Sequence, residues 1–440
     1  MGLLESMKEA AKVPPFKGKI YFLFFSLLLF FTPLIAFNNT NELYEFPKMY
    51  FLYLFGFFVI AYFISDNVLH PVKLKKPSPI VCAFFLLTLI STFFSSHFYT
   101  SFFGYYTRFS DGLLSYLVFF GLYFVALNKL QKGDFERLLE IAVLTIIPIS
   151  IYGLAQHFGG PQFLWNYAAV DRVYSTFGQP NWLAQYLVML LLVCLYFLLS
   201  SSFEQFKFWF FIYILGFFCF WTTYSMSGIL GFLAGVGLIC VPYLKKGEHK
   251  NKLNSEKLGV RVALIVLISF FIAISNLGLF EAKINDAITD IKKGLSYVGT
   301  VYAQTTDYKV SDPGFIRLEL WKSTFSLIGS SPKIFLLGSG PETFPYVFQK
   351  FRNLKLNYSS EWDYVFNKPH NYYLETWSES GIFALGLYLV LLYQLVKKSP
   401  HFLMPSVAAF AVTNFFGWPV VATSLLFWFF LALAKRWEEK

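Results

Sequence analysis

Twelve apolar stretches, each close to the length of a bilayer-spanning helix, divide this 440-residue chain. A bilayer core asks for about 20 apolar residues per helix. By that measure the spans fall near residues 19–36, 48–65, 79–95, 112–128, 138–157, 182–200, 207–222, 227–244, 260–279, 375–396, 402–416 and 418–434. Lipid offers no partners to backbone N–H and C=O groups, which leaves helix bundles and closed barrels as the possible architectures. Barrel strands alternate over about 10 residues, so uninterrupted runs of this length predict helices. The chain is expected to be an all-α integral membrane protein with about 12 transmembrane helices.

Hydrophobic residues make up 56% of the sequence and charged residues 14%, against about 25% charged in soluble domains. The net charge of +10 does not point to nucleic acid, because Lys and Arg cluster in short loops beside the spans, as membrane topology demands. Cys82, Cys194, Cys219 and Cys240 all lie inside apolar runs, so neither a disulfide framework nor a metal-ligand spacing is visible. Lys8, Lys12, Lys17 and Lys19 precede the first run, and no small-residue cleavage site follows it. That run reads as a retained span, not as a signal peptide.

The basic residues also set the orientation. With the N-terminus inside, the inner loops carry Lys73, Lys75 and Lys76, then Lys129, Lys132 and Arg137, then the group from Lys245 to Arg261, and finally the tail with Lys435, Arg436 and Lys440. The opposite loops hold only Lys48, Arg108 and Arg172 among the short connections. Both termini are therefore expected in the cytoplasm, with the polar motifs on the outer face. The stretch from Glu281 to Pro369 is too polar to span and too long for a plain connector. The expected organisation is an N-terminal bundle of about nine helices (1–280), one large extracytoplasmic loop domain (281–369) and about three C-terminal membrane helices (370–440). Within the loop domain, apolar spacing predicts a helix over 282–296 and a second over 315–326, with Phe315, Leu318, Trp321 and Phe325 on one face.

Four outer segments combine charge with turn signals. Asp171–Asn181 places Arg172 before a span that Asn181 is expected to cap. An outer Arg runs against the charge bias, and its planar fork suits bidentate phosphate binding; an interfacial anchor is the bland alternative. Arg108, in Tyr105–Gly112, offers a second such contact or a simple turn. Arg317 lies one helical turn before Trp321, a pairing that can stack on a sugar or isoprenoid headgroup or merely anchor a surface helix. His370, Asn371, Tyr372 and Glu375 open the tenth span, with Glu379 one turn further; carboxylates at this depth are costly, and His is the commonest acid–base side chain near neutral pH.

In order and spacing, Arg172 with Gly178-Gln-Pro180-Asn181, the Tyr224–Gly228 turn, Arg317 with Trp321 and Gly338-Ser-Gly340, and His370-Asn371 with Glu375 and Gly381 resemble the O-antigen ligase and polymerase superfamily. That resemblance implies a GT-C-like membrane glycosyltransferase in the bacterial cytoplasmic membrane, working on its outer face. It implies an undecaprenyl-pyrophosphate-linked glycan as donor, a glycan, lipid or protein hydroxyl as acceptor, and neither metal nor other cofactor. By position, Arg172 and Arg317 match arginines thought to hold the pyrophosphate, and His370 matches the base; Arg108, Asn181, Trp321, Asn371, Tyr372 and Glu375 are the further substrate-binding candidates. The sequence departs from the family at Met226, where the turn commonly carries Arg. A polysaccharide polymerase or protein O-oligosaccharyltransferase of the same superfamily shares these motifs. A polyisoprenyl-glycan flippase is the rival of another class, but neither repeat symmetry nor broken midplane helices are visible to favour it.

Overall fold

The structure is a computed structural model, describing residues 17–159, 172–244, 255–275, 285, 313–359 and 361–438. The helix expected over 282–296 lies, but for residue 285, outside them. The described residues fold into helices and connecting turns without a strand. In chain order the helices are α1 (Lys17–Phe31), α2 (Glu45–Leu69), α3 (Pro79–Phe93), α4 (Phe98–Phe103), α5 (Leu113–Lys129), α6 (Lys132–Leu144), α7 (Ile146–His157), α8 (Pro180–Ser200), α9 (Phe203–Trp221), α10 (Met226–Leu244), α11 (Ser255–Ile274), α12 (Pro313–Ile328), α13 (Pro332–Leu337), α14 (Phe344–Val347), α15 (Tyr372–Lys398), α16 (Met404–Phe415) and α17 (Val421–Glu438).

Among the described residues, five segments are by length and composition apolar enough to cross a bilayer: Glu45–Leu69, Lys132–His157, Pro180–Ser200, Phe203–Trp221 and Tyr372–Lys398. The second of these is interrupted at Thr145, because Pro148 has no N–H to return to the Leu144 carbonyl. Six further apolar helical stretches among the described residues, of 10–17 residues, are Lys19–Phe31, Pro79–Phe93, Leu113–Lys129, Met226–Ile239, Gly259–Ile274 and Met404–Phe415. Helices α8 and α17 form the centre, with nearly every side chain of α17 out of contact with solvent. The outer helices keep large apolar side chains exposed, among them Leu54, Phe58 and Ile64 on α2 and Phe270 and Phe271 on α11. Such a surface fits lipid, where apolar exposure carries no penalty.

A second, smaller apolar cluster lies outside that core. Ile316, Leu320 and Leu327 of α12 pack there with Phe344, Phe348, Leu356 and Phe366. The buried face of α12 is thus not the stripe read from spacing. Phe325 is 53% exposed, while Trp321 meets Phe415 of α16 and Phe325 meets Trp377 of α15. Both faces of α12 are apolar, one serving the small cluster and the other the membrane helices, so a single-face count could not tell them apart.

Helix α15 breaks at Gly381, whose φ of 85° and ψ of 171° are not helical. The break receives the Gly338–Gly340 turn: Ser339 N–H donates to the Ser378 carbonyl and Gly340 N–H to the Glu379 carbonyl, both at 2.9 Å. Ser91 Oγ of α3 donates to the same Glu379 carbonyl at 2.7 Å. A Cβ at Gly381 would stand 2.0 Å from the Leu336 carbonyl oxygen, so only glycine admits this crossing. The glycine turn that follows Arg317 in sequence is a structural splice.

Candidate functional site

Trp418 forms the hub of the first polar group. Its ring lies edge-on to His370, with centroids 5.0 Å apart, and edge-on to Trp182 at 5.7 Å. The Arg108 guanidinium sits over Trp182 at 5.1 Å and over Trp418 at 5.9 Å. Stacking of a guanidinium on indole leaves its in-plane N–H donors free for an anion. Neither Arg108 nor Arg317 donates a hydrogen bond to a described residue, and nor does the His370 ring. Arg317 is near enough to lower the pKa of both Arg172 and His370.

Arg172 is different. Its Nε donates to the Thr223 carbonyl at 2.9 Å, and its Nη2 donates to Asn181 Oδ1 at 3.0 Å and weakly to the Tyr224 carbonyl. Asn181 Oδ1 also accepts from Ser225 Oγ at 2.8 Å. Asn181 is therefore not the cap of α8; Gln179 is, its side chain accepting from Trp182 N–H. Asn181 follows Pro180 into the helix, where its amide is free to tie Arg172 to the Tyr224–Gly228 turn. Met226 is exposed beside that turn, so an Arg there would not share this buried network. Lys48, fully buried on α2, holds the same segment from behind by donating to the Thr176 carbonyl at 2.6 Å.

Lys368 organises a second group. Its ammonium contacts Glu342, Glu375 at 2.5 Å and Asp111 at 3.3 Å, and only 2% of the side chain is exposed. Glu379 accepts the N–H groups of Glu342 and Phe344 at 2.8 and 3.1 Å. Glu342, Glu375 and Glu379 can each bring one oxygen within 4.8 Å of the others. No spacing in the sequence announced this constellation, because its members come from a loop and a broken helix. The Lys368 ammonium already bonds two of the three carboxylates. Tyr372 also turns inward, toward Tyr116, with hydroxyls 3.3 Å apart. Asn371 caps α15, accepting from the N–H groups of Tyr373 and Leu374.

Electrostatics separate the groups. Burial, with Arg317 and Arg108 nearby, lowers the His370 pKa to about 3, so the imidazole is neutral near pH 7. Burial and Arg317 lower Arg172 to about 10, still protonated. Burial disfavours the Lys368 ammonium, but Glu342, Glu375 and Asp111 outweigh it and hold the pKa well above the usual range. Burial, then Asp111, raises Glu342 against the pull of Lys368.

Backbone strain converges on the same place. Among the described residues the non-glycine positions with positive φ are Phe109, Asp111, Ser175, Tyr224, Glu342 and His370. Each lies in a segment that carries Arg108, Arg172 and its partners, or Lys368 and its partners. Such conformations cost about 1–3 kcal/mol each and persist where the surroundings over-determine them, commonly at functional sites.

Beside these groups runs an apolar groove of about 670 Å³, lined by Trp321, Phe325, Leu374, Leu389 and Phe415, with Asn371 at its edge. A polar cavity of about 20 Å³ lies between Asn181, Gln185, Ser227, His370 and Trp418, room for one water.

Residues 209–389 match the family described as O-antigen ligase. The match supports the O-antigen ligase superfamily, and with the apolar helices it supports an O-antigen ligase-like membrane glycosyltransferase. The matched stretch includes Arg317, His370 and Glu375, and leaves out Arg108 and Arg172. No curated protein matches the chain significantly. Lys368 and Trp418 were missed in the sequence. The available signals were a lysine two residues before His370, and a Gly417-Trp418-Pro419 break between two apolar runs.

Proposed function

We propose that the chain transfers a glycan from an undecaprenyl-pyrophosphate carrier to an acceptor hydroxyl at the outer face of the cytoplasmic membrane, with inversion and without metal. The observation that carries this reading is the neutral His370 flanked by Arg108 and Arg317, two guanidiniums without hydrogen-bond partners among the described residues, beside an apolar groove. The groove suits the isoprenoid tail. The arginines suit the pyrophosphate, taking up the charge that grows on it as the glycosidic C–O bond breaks, a task often given to a metal. The acceptor oxygen attacks the anomeric carbon from the opposite side, its proton passes to His370, and undecaprenyl pyrophosphate leaves as the anion.

Metal independence is supported by Lys368, whose ammonium bonds two of the three carboxylates that could otherwise hold a cation. Arg172 acts in this reading as the tie between Asn181 and the Thr223–Tyr224 turn, and reaches the donor only through its remaining N–H groups. Lipid A core, protein, teichoic-type polymer and growing glycan are all acceptors this chemistry serves.

The test is product mass spectrometry after the purified protein is incubated with an undecaprenyl-pyrophosphate glycan and each acceptor class. Transfer should occur, survive excess EDTA, and disappear in His370→Ala with donor binding retained. Activity of His370→Ala within about threefold of wild type would remove the base, whose usual contribution is about 10²–10⁴-fold. A requirement for Mg²⁺ or Mn²⁺ would remove the metal-free mechanism.

A further inference from the structure

We infer that Lys368 is a positioning residue for His370: its ammonium, tied to Asp111, Glu342 and Glu375, holds the Lys368–Asn371 segment so that the imidazole stays against Trp418. The kinetic part of the test rests on His370 being the base; the labelling part does not.

Apart from the Trp418 contact, little else orients the ring. No described residue forms a hydrogen bond with either imidazole nitrogen, in contrast to the partner that usually fixes a catalytic histidine's tautomer and direction. Its direction is set by the backbone, and the backbone is pinned on both sides. Before His370, Lys368 is buried in the carboxylate group, and the Pro369 carbonyl accepts Trp321 Nε1 at 3.1 Å. After it, the Asn371 side chain caps α15. His370 is left at φ 55°, and two of the three partners of Lys368, Asp111 and Glu342, have φ 59° and 60°. Two strained residues from separate segments, Asp111 and Glu342, thus meet at one ammonium, and the third, His370, lies two residues along the chain from it, an arrangement that relaxes if the ammonium is withdrawn.

Charge makes Lys368 hard to replace. Glu375 Oε2 is buried and has no partner, and Glu379 brings a further carboxylate alongside. With the ammonium removed, these groups repel one another and the loop that carries His370 moves.

The experiment uses the full-length protein in detergent and reads modification of His370 by diethyl pyrocarbonate, quantified by peptide mass spectrometry, beside transfer kinetics. Lys368→Met should raise the labelling rate of His370 by about fivefold or more, as expected for a locally opened segment. It should lower kcat by about 10²-fold with the donor KM within about threefold, the pattern of an interaction realised in the transition state. If that chain does not purify folded, Lys368→Met with Glu342→Gln removes one charge of each sign and carries the same expectation. Unchanged labelling in a folded variant overturns the proposal, as does a raised KM with unchanged kcat. Faster labelling in a protein whose wild type transfers no glycan keeps the positioning role and removes the transferase reading.

Discussion

Trp418 and His370 meet edge to face with ring centroids 5.0 Å apart, and the other surroundings of the same indole are Arg108, Trp182 and Lys368. One aromatic ring therefore touches the Arg108 guanidinium, the carboxylate-bound Lys368 and the His370 imidazole together. Aromatic contacts and a stacked guanidinium are each worth about 0.5–1.5 kcal/mol, enough in sum to set a side-chain position.

Trp418→Leu is accordingly expected to reduce transfer by about 10-fold to 100-fold, since small displacements of reacting groups carry penalties of that order. Trp418→Phe should keep much of the activity. Initial rates with a lipid-linked glycan check this; wild-type rates in Trp418→Leu would show that the indole does not hold the site.

The pH profile follows from the sign of the His370 shift. Its pKa is lowered to about 3, so the base form is present above that value and is lost as pH falls through it. The kcat/KM profile, which reports the free enzyme, should show no acidic break near pH 6.5 from this residue. A bound pyrophosphate offsets Arg317 and Arg108, so the acidic limb of kcat should lie at higher pH than that of kcat/KM. For stability, the unfolded histidine binds a proton below about pH 6.5 that the folded one refuses, so acidification from there towards pH 3 weakens the fold. His370→Gln should flatten that part of a melting-temperature titration.

The two arginines of the sequence resemblance should fail differently. Arg172→Lys removes the fork that joins Thr223, Tyr224 and Asn181, so a lowered melting temperature is expected together with lost activity. Arg317→Lys breaks no such bond; it should melt near wild type and show a raised donor KM, because Lys keeps the charge without the planar pair of donors. Thermal unfolding and donor titrations distinguish the two, and full activity in Arg317→Lys would exclude it as a pyrophosphate ligand.

Orientation is testable with cysteines at the exposed Lys333 and Asp363 and at a position within 247–257. The first two should react with a membrane-impermeant thiol reagent from outside, and the last should not. The reverse pattern would place the whole site in the cytoplasm.

The helical class and the approximate positions of the apolar helices were legible in the sequence. These depend on relationships within tens of residues, where apolar run length and loop charge act directly on the chain. What each polar residue does was not legible there. Lys368 and Asp111 are 257 positions apart, and the pair acquires its meaning only when four segments bury it together. Arg172 reads as a free cation until the Thr223 carbonyl and Asn181 arrive to occupy it, and Gly338–Gly340 reads as a loop until the break in α15 accepts its N–H groups. Desolvation and hydrogen-bond partnership are properties of a place in three dimensions, so the tertiary structure alone decided which charges are tied into the frame and which remain available for a ligand.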